Sequence, residues 1–182
     1  MNKKKTLIAI SLIAFGAITR LLLKDLPNVE TITITALLAG SMLGWGYAIV
    51  VALSAMAITD VVIGNDSILL FTWSAFVIIG LLGVILRHKS KTGAKYILQM
   101  TGLGMGASVF FYLFTNFGVW LLWPQMYVHT WQGLVQCYVM GLPFLKYNML
   151  GNLVIVPVVS SVVVFAPQWL KLYNRKKEYV KN

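Results

Sequence analysis

The sequence predicts an all-α membrane protein, a bundle of six transmembrane helices that forms one domain over residues 1–182. Hydrophobic residues make up 59% of the chain and charged residues only 11%, whereas soluble domains carry about a quarter charged residues. The apolar residues occur in runs long enough to cross a hydrocarbon core of about 30 Å. The basic residues concentrate in three short segments, as expected for a protein oriented by its positive charges.

The first predicted span covers about 6–23 and follows three lysines. A basic start before an apolar run fits either a cleaved signal peptide or a retained helix. The run is long for a signal peptide, and no clear small-x-small cleavage site precedes a polar segment. We therefore predict a retained helix.

The second apolar run, 32–63, is too long for one span, because a helix of that length would reach about 48 Å. It contains GSMLGWG at 40–46, where three glycines within seven residues favour a tight turn. We divide the run there, which leaves two short helices. The predicted spans after the first are therefore about 30–44, 46–63, 68–86, 94–115 and 148–170.

Twelve of the fifteen Lys and Arg lie in the N-terminus, in the loop RHKSKTGAK at 87–95 and in the tail after residue 170. Six spans place all three segments on one side of the membrane, whereas five spans leave the central loop on the other side. Basic segments mark the cytoplasmic side. We therefore predict a multi-pass protein of the cell membrane with cytoplasmic N- and C-termini.

A long external loop is predicted at about 116–147, because Thr115 and Asn116 interrupt an apolar run and many aromatic residues follow. Trp and Tyr are enriched at membrane interfaces, which accounts for the aromatic residues but not for the length of the loop. Two arrangements fit the length: a helix along the membrane surface, and an amphipathic lid over the outer mouth of the bundle.

Small residues at four-residue spacing predict close helix packing. Gly102 and Gly106 lie in a predicted apolar helix, and Ala36, Gly40 and Gly44 repeat their spacing. Such positions let two helix backbones approach each other. We predict that both sets pack inside the bundle rather than against another subunit.

No motif typical of an enzyme, a metal site or a cofactor site is present. GLGMG at 102–106 is not followed by the Lys-Ser/Thr of a phosphate-binding loop. His129 has no ligand partner at a suitable spacing, and Cys137 lacks a base and a third partner for nucleophilic catalysis. We predict a protein that is not an enzyme.

Polar side chains occur near the outer ends of several predicted spans, which indicates a pocket there. Arg20 and Asp60 lie at similar predicted depth and could form a pair, although Arg20 could equally extend to the interface. Apolar and aromatic walls with a few placed polar groups are typical of small-molecule sites. The predicted substrate-binding residues are Arg20, Asp60, Asn116, Trp120, Trp123, Tyr127, Trp131, Asn148 and Asn152.

Two sets of segments resemble known membrane families. PNVETITITALLAGSMLGWGYAIVVALSAMAITDVVIG at 27–64 is similar to the second and third helices of S-components, the substrate-binding membrane subunits of energy-coupling-factor vitamin transporters. In those proteins a Gly-rich turn precedes a helix that ends in Asp and Gly, here Asp60 and Gly64. TNFGVW, GLVQCY and LPFLKYNMLGN resemble a related bacterial six-helix family without an established function.

The S-component resemblance implies an outward-facing pocket that captures a vitamin-like solute. It also implies a transmembrane coupling subunit and ATPase subunits as partners, and no nucleic acid. S-components usually dock through an Ala-xxx-Ala face on the first helix, but no two alanines of this first helix are four residues apart. The alternative interpretation is a membrane interaction or scaffold protein whose aromatic loop contacts another membrane protein.

Overall fold

The computed structural model describes residues 3–64 and 66–179, with side chains described up to residue 167 and for Trp169. The basic side chains of the C-terminal tail therefore lie outside the described residues. Within the described part the chain forms six α-helices and no strand, which confirms the all-α class. The helices are α1 Lys3–Leu22, α2 Ile32–Leu43, α3 Trp45–Ile63, α4 Leu69–Gly83, α5 Gly93–Leu122 and α6 Trp131–Tyr179.

Five of the described helices are long and apolar enough to cross a membrane. They are α1, α3, α4 with the 3-10 turn Val84–Leu86 that extends it, α5, and α6 as far as Pro167. These helices indicate a multi-pass membrane protein. α2 has only 12 residues and rises about 18 Å, which is less than a hydrocarbon core of about 30 Å. The prediction of a sixth complete span at 30–44 is therefore wrong.

The predicted division of the second apolar run is confirmed at Gly44, which lies between α2 and α3. Gly44 has φ 101°, a backbone conformation that glycine adopts without the steric cost of a Cβ. Its N–H donates to the carbonyl oxygens of Ala39 and Gly40 at 3.2 and 3.1 Å, which ends α2. The Arg87 guanidinium packs where a side chain at this position would lie.

α2 lies at the centre of the bundle, where eleven of its twelve residues are buried. Its packing against α4 depends on glycine on both sides. A Cβ on Gly40 would lie 2.0 Å from the carbonyl oxygen of Gly80, and a Cβ on Gly83 would lie 2.3 Å from that of Leu37. The predicted packing role of Gly40 is therefore confirmed.

The packing predicted for Gly102 and Gly106 is wrong, because both are exposed and a Cβ on either would meet no atom within 4 Å. The glycine of α5 that packs internally is Gly104, whose Cβ would lie 2.8 Å from Val156 of α6. The spacing identified the correct helix but the wrong face.

The predicted external loop at 116–147 is much shorter in the structure, where only residues 123–130 separate α5 from α6. α5 continues through the polar pair because each side chain binds a carbonyl four residues earlier. Thr115 Oγ1 donates to Phe111 at 2.7 Å, and Asn116 Nδ2 donates to Tyr112 at 2.8 Å. Polar side chains satisfied in this way do not terminate a helix.

Residues 131–147 are neither a separate surface helix nor a lid, because they form the first turns of α6 and pack antiparallel to α5. The hydroxyl of Tyr112 donates to the carbonyl of Tyr138 at 2.6 Å, and the Cys137 thiol donates to the carbonyl of Asn116 at 3.3 Å. The aromatic segment thus belongs to a long helical hairpin.

The helices alternate in direction, which gives the bundle two distinct ends. The beginning of α1 packs with the end of α2 through Ala9, Ala39 and Leu43, and the turn at Gly44 lies against Arg87. We call this the basic end. The opposite end carries the 23–31 and 123–130 connections and holds the main cavity, and we call it the cavity end.

Candidate ligand cavity

A cavity of about 820 Å³ lies at the cavity end, and the short length of α2 explains it. Ala36 lies against Gly80, so the start of α2 is about level with Phe76, two turns inside α4. Between that level and the cavity end, α1, α3, α4, α5 and α6 enclose space that α2 does not fill. The polar lining residues are Arg20, Lys24, Asn28, Glu30, Asp66, Thr72, Thr115, Asn116, Gln125 and Asn148.

The cavity brings together five of the nine predicted site residues. Arg20, Asn116, Trp123, Tyr127 and Asn148 line it. The aromatic wall is completed by three phenylalanines that the sequence did not single out, Phe76, Phe111 and Phe144. The other four predicted residues, Asp60, Trp120, Trp131 and Asn152, do not line the cavity.

Asp60 lies behind the cavity wall and holds Arg20 in place. Arg20 Nη1 is 2.7 Å from Asp60 Oδ1 and also donates to the hydroxyl of Thr59. Trp73 Nε1 donates to the second carboxylate oxygen of Asp60 at 2.7 Å. The side chains of Arg20 and Asp60 are only 18% and 6% exposed, so the pair is formed and Arg20 does not extend to the interface.

The two other tryptophans in the aromatic segment have different positions. Trp120 closes the connection between α5 and α6, where its Nε1 donates to the carbonyl of Val128 at 3.0 Å and its ring lies 5.0 Å from that of His129. Trp131 is 74% exposed at the start of α6. Neither side chain can contact a molecule inside the cavity without a rearrangement.

Asn152 holds the cavity residue Asn148 in place through a chain of hydrogen bonds. Its Nδ2 donates to Asn148 Oδ1 at 3.2 Å and to Ser108 Oγ at 2.9 Å. Asn148 Nδ2 in turn donates to the carbonyl of Asn28 at 3.1 Å. Asn152 therefore orients Asn148, and Asn148 ties the 23–31 connection to α6.

Within the described residues, no group of three or more His, Cys, Asp or Glu could hold a metal ion. The residues that line the cavity offer hydrogen bonding, charge pairing and aromatic contact.

The family model described as "Family of unknown function (DUF6580)" matches residues 1–174, which is nearly the whole chain. The chain belongs to this family. No curated protein and no solved structure matches it.

Glu30 is the cavity residue that sequence reasoning missed. Its Oε2 accepts from the backbone N–H of Thr33 at 2.9 Å, and its Oε1 accepts from the Thr33 hydroxyl at 2.5 Å. The carboxylate thus caps the N-terminus of α2, where negative charge is favoured by the helix dipole. A Glu three residues before a Thr at the start of an apolar run was the available sequence signal.

We expect Glu30→Ala to lower the free energy of unfolding by about 1 kcal/mol, the usual cost of losing a helix cap. Glu30→Gln keeps an acceptor oxygen for the Thr33 N–H and should recover about half of that loss. Thermal unfolding in one detergent would measure both. Equal melting temperatures for the wild type and Glu30→Ala would show that the cap does not stabilise the fold.

Proposed function

We propose that this protein is the substrate-binding membrane subunit of an energy-coupling-factor-type transporter and captures a vitamin-like molecule for uptake. The observation that carries the proposal is the cavity of about 820 Å³ at one end of the bundle. Small-molecule sites enclose roughly 300–1,000 Å³ and combine apolar and aromatic walls with a few placed polar groups. The cavity has this volume and composition.

The charge distribution supports an outward-facing cavity. Lys3, Lys4 and Lys5 begin α1, and the basic connection from Arg87 to Lys91 lies at the same end of the bundle. Basic segments favour the cytoplasmic side. With the basic end in the cytoplasm, both termini are cytoplasmic and the cavity opens toward the outside of the cell membrane.

Three kinds of side chain would hold the solute. Trp123 and Tyr127 offer flat faces for a ring system. Asn116 and Asn148 each donate one amide N–H to the protein, and each amide has a second N–H for a ligand. Arg20, oriented by Asp60, supplies a positively charged donor at the wall. This arrangement binds a solute and changes no covalent bond.

A binding subunit of this type needs partners that supply energy. The sequence contains no nucleotide-binding loop, so release into the cell would depend on a transmembrane coupling subunit and its ATPases. Docking on those partners would use a first-helix surface other than an Ala-xxx-Ala face.

The proposal is tested by native mass spectrometry of the protein purified in mild detergent from its own host. A retained small molecule, with or without coupling subunits, is the expected result and identifies the solute by its mass. A chain that carries only another membrane protein would favour a scaffold function instead.

A pair of tryptophan variants links any retained molecule to the cavity. Trp123 lines the cavity, whereas Trp131 is exposed at the start of α6 and provides a matched control. We expect Trp123→Ala to weaken binding roughly tenfold, or about 1.4 kcal/mol, because an aromatic wall is lost. Trp131→Ala should keep the wild-type occupancy. Native mass spectra measure both, and equal loss in the two variants would place the molecule elsewhere.

A further inference from the structure

A second cavity, a groove of about 380 Å³, lies between the end of α1 and the middle of α6, and its surface is almost entirely apolar. α1 packs on α2 and α3, and α6 packs on α5 and α2, so α1 and α6 flank a cleft. Leu22 and Val154 line the groove and are 75% and 62% exposed. At this position in a membrane protein, such exposed apolar side chains face lipid chains. The groove is therefore open on the lipid side of the bundle.

The groove lies next to the ligand cavity. Leu23 and Val29 line both spaces, so these two side chains form the partition between them. Val29 fits closely against α6 because Gly151 has no side chain: a Cβ there would lie 3.3 Å from Val29 Cγ1. Asn148, one turn before Asn152 on α6, faces the cavity side of the partition.

The two spaces differ in chemistry. Arg20 and Lys24 are the cationic side chains of the cavity lining, and Glu30 and Asp66 are its carboxyl groups. Arg20 is already paired with Asp60 behind the wall, and burial raises the pKa of the Glu30 carboxyl, which disfavours its charged form. Lys24 and Asp66 carry opposite charges, so neither sign of charge dominates the lining. Together with the neutral amides Asn116 and Asn148, this lining suits a polar group without net charge. The groove offers no comparable polar surface and suits a hydrocarbon chain.

We infer that the ligand is amphipathic, with a flat polar head of no net charge in the cavity and an alkyl or prenyl-like tail that displaces the side chains of Leu23 and Val29 and enters the groove. This inference rests on the proposed function and specifies the substrate class of the same site. A solute of this kind partitions into the bilayer, and the lateral opening between α1 and α6 lets its tail stay in an apolar environment while its head is bound.

The test uses benzamide as the head alone and 4-octylbenzamide as the same head with a tail. Isothermal titration would be done in a sterol-type detergent, with a protein-free micelle blank, so that no flexible alkyl chain competes for the groove. Each buried methylene contributes about 0.8 kcal/mol, or about fourfold in affinity. Because the micelle already buries part of the free tail, we count only about two to three further methylenes, or about 2 kcal/mol, and expect 4-octylbenzamide to bind at least about 30-fold more tightly than benzamide.

Gly151→Leu fills the groove at the point where Val29 meets α6 and should remove the difference in affinity between the two compounds. Gly106→Leu is the matched control, because a side chain at Gly106 meets open space on α5, and it should keep the difference. If Gly151→Leu does not fold, Val154→Phe fills the groove from an exposed position and makes the same comparison.

Each outcome decides between the two proposals. Equal affinities for the two compounds, or a difference that survives the groove variants, overturn the amphipathic ligand and leave the solute-binding function in place. Tight binding of 4-octylbenzamide that is unaffected by Trp123→Ala shows a lipid tail in the groove alone and also overturns the inference. If neither compound binds, the inference of a neutral polar head is overturned. The proposed function is then decided separately, by whether native mass spectra show a retained small molecule.

Discussion

Gly40→Ala is expected to lower the free energy of unfolding by about 3 kcal/mol or more, one of the two largest effects that the structure predicts. The new Cβ would lie 2.0 Å from the carbonyl oxygen of Gly80 and 3.0 Å from the backbone nitrogen of Val84. Both are backbone atoms, so no rotamer change can relieve the clash. α2 and α4 would have to separate along the interface that also contains Gly83.

Gly102→Ala is the matched control for this prediction. It is the same substitution in an apolar helix, but a Cβ at Gly102 meets nothing within 4 Å. Alanine has a higher helix propensity than glycine by about 1 kcal/mol, so this variant should melt at or above the wild-type temperature. Both variants would be heated in one detergent, and the fraction of protein that stays monodisperse at each temperature would give their melting temperatures. Similar melting temperatures for the two variants would contradict the close α2–α4 contact.

These glycines also show why the sequence pattern located the helices more accurately than it identified which face of each helix packs inside the bundle. Hydrophobic length predicted six complete spans, and the structure has a helix long enough to span the membrane at every one of them except α2. The glycine cluster placed the α2–α3 turn correctly. A small residue every fourth position occurs at Gly40 and at Gly102 alike, yet only the first is internal. Which face is internal depends on how all the helices pack, and one helix does not encode that by spacing alone.

The same limit explains the mixed outcome for the predicted site. Depth along a span can be estimated from sequence, so Arg20 and Asp60 were correctly expected at one level. Direction around the helix cannot be estimated in the same way, and Trp131 is exposed although Trp123 lines the cavity. The cavity itself depends on the start of α2 at Ile32, whereas the sequence placed this start near residue 30. The cap that Glu30 provides for Thr33 is a local contact that sequence reasoning missed.

The pair Arg20–Asp60 carries the second large effect. Arg20→Met leaves the Asp60 carboxylate with Trp73 as a neutral partner, and Asp60→Leu leaves a buried guanidinium without its counter-ion. Removing one member of a buried ion pair typically costs about 3–5 kcal/mol, because the other charge stays desolvated. We expect each single variant to melt far below the wild type.

The double variant Arg20→Met/Asp60→Leu should be more stable than either single variant, because no buried charge is left without a partner. Losses that simply add would show that the two side chains do not act as a pair. The double variant also separates stability from binding, since Arg20 lines the cavity whereas Asp60 does not. If Arg20 contacts the solute, native mass spectra of the double variant should still show reduced occupancy, even though this variant is more stable than either single variant. Full occupancy would restrict Arg20 to holding α1 against α3 at the cavity wall.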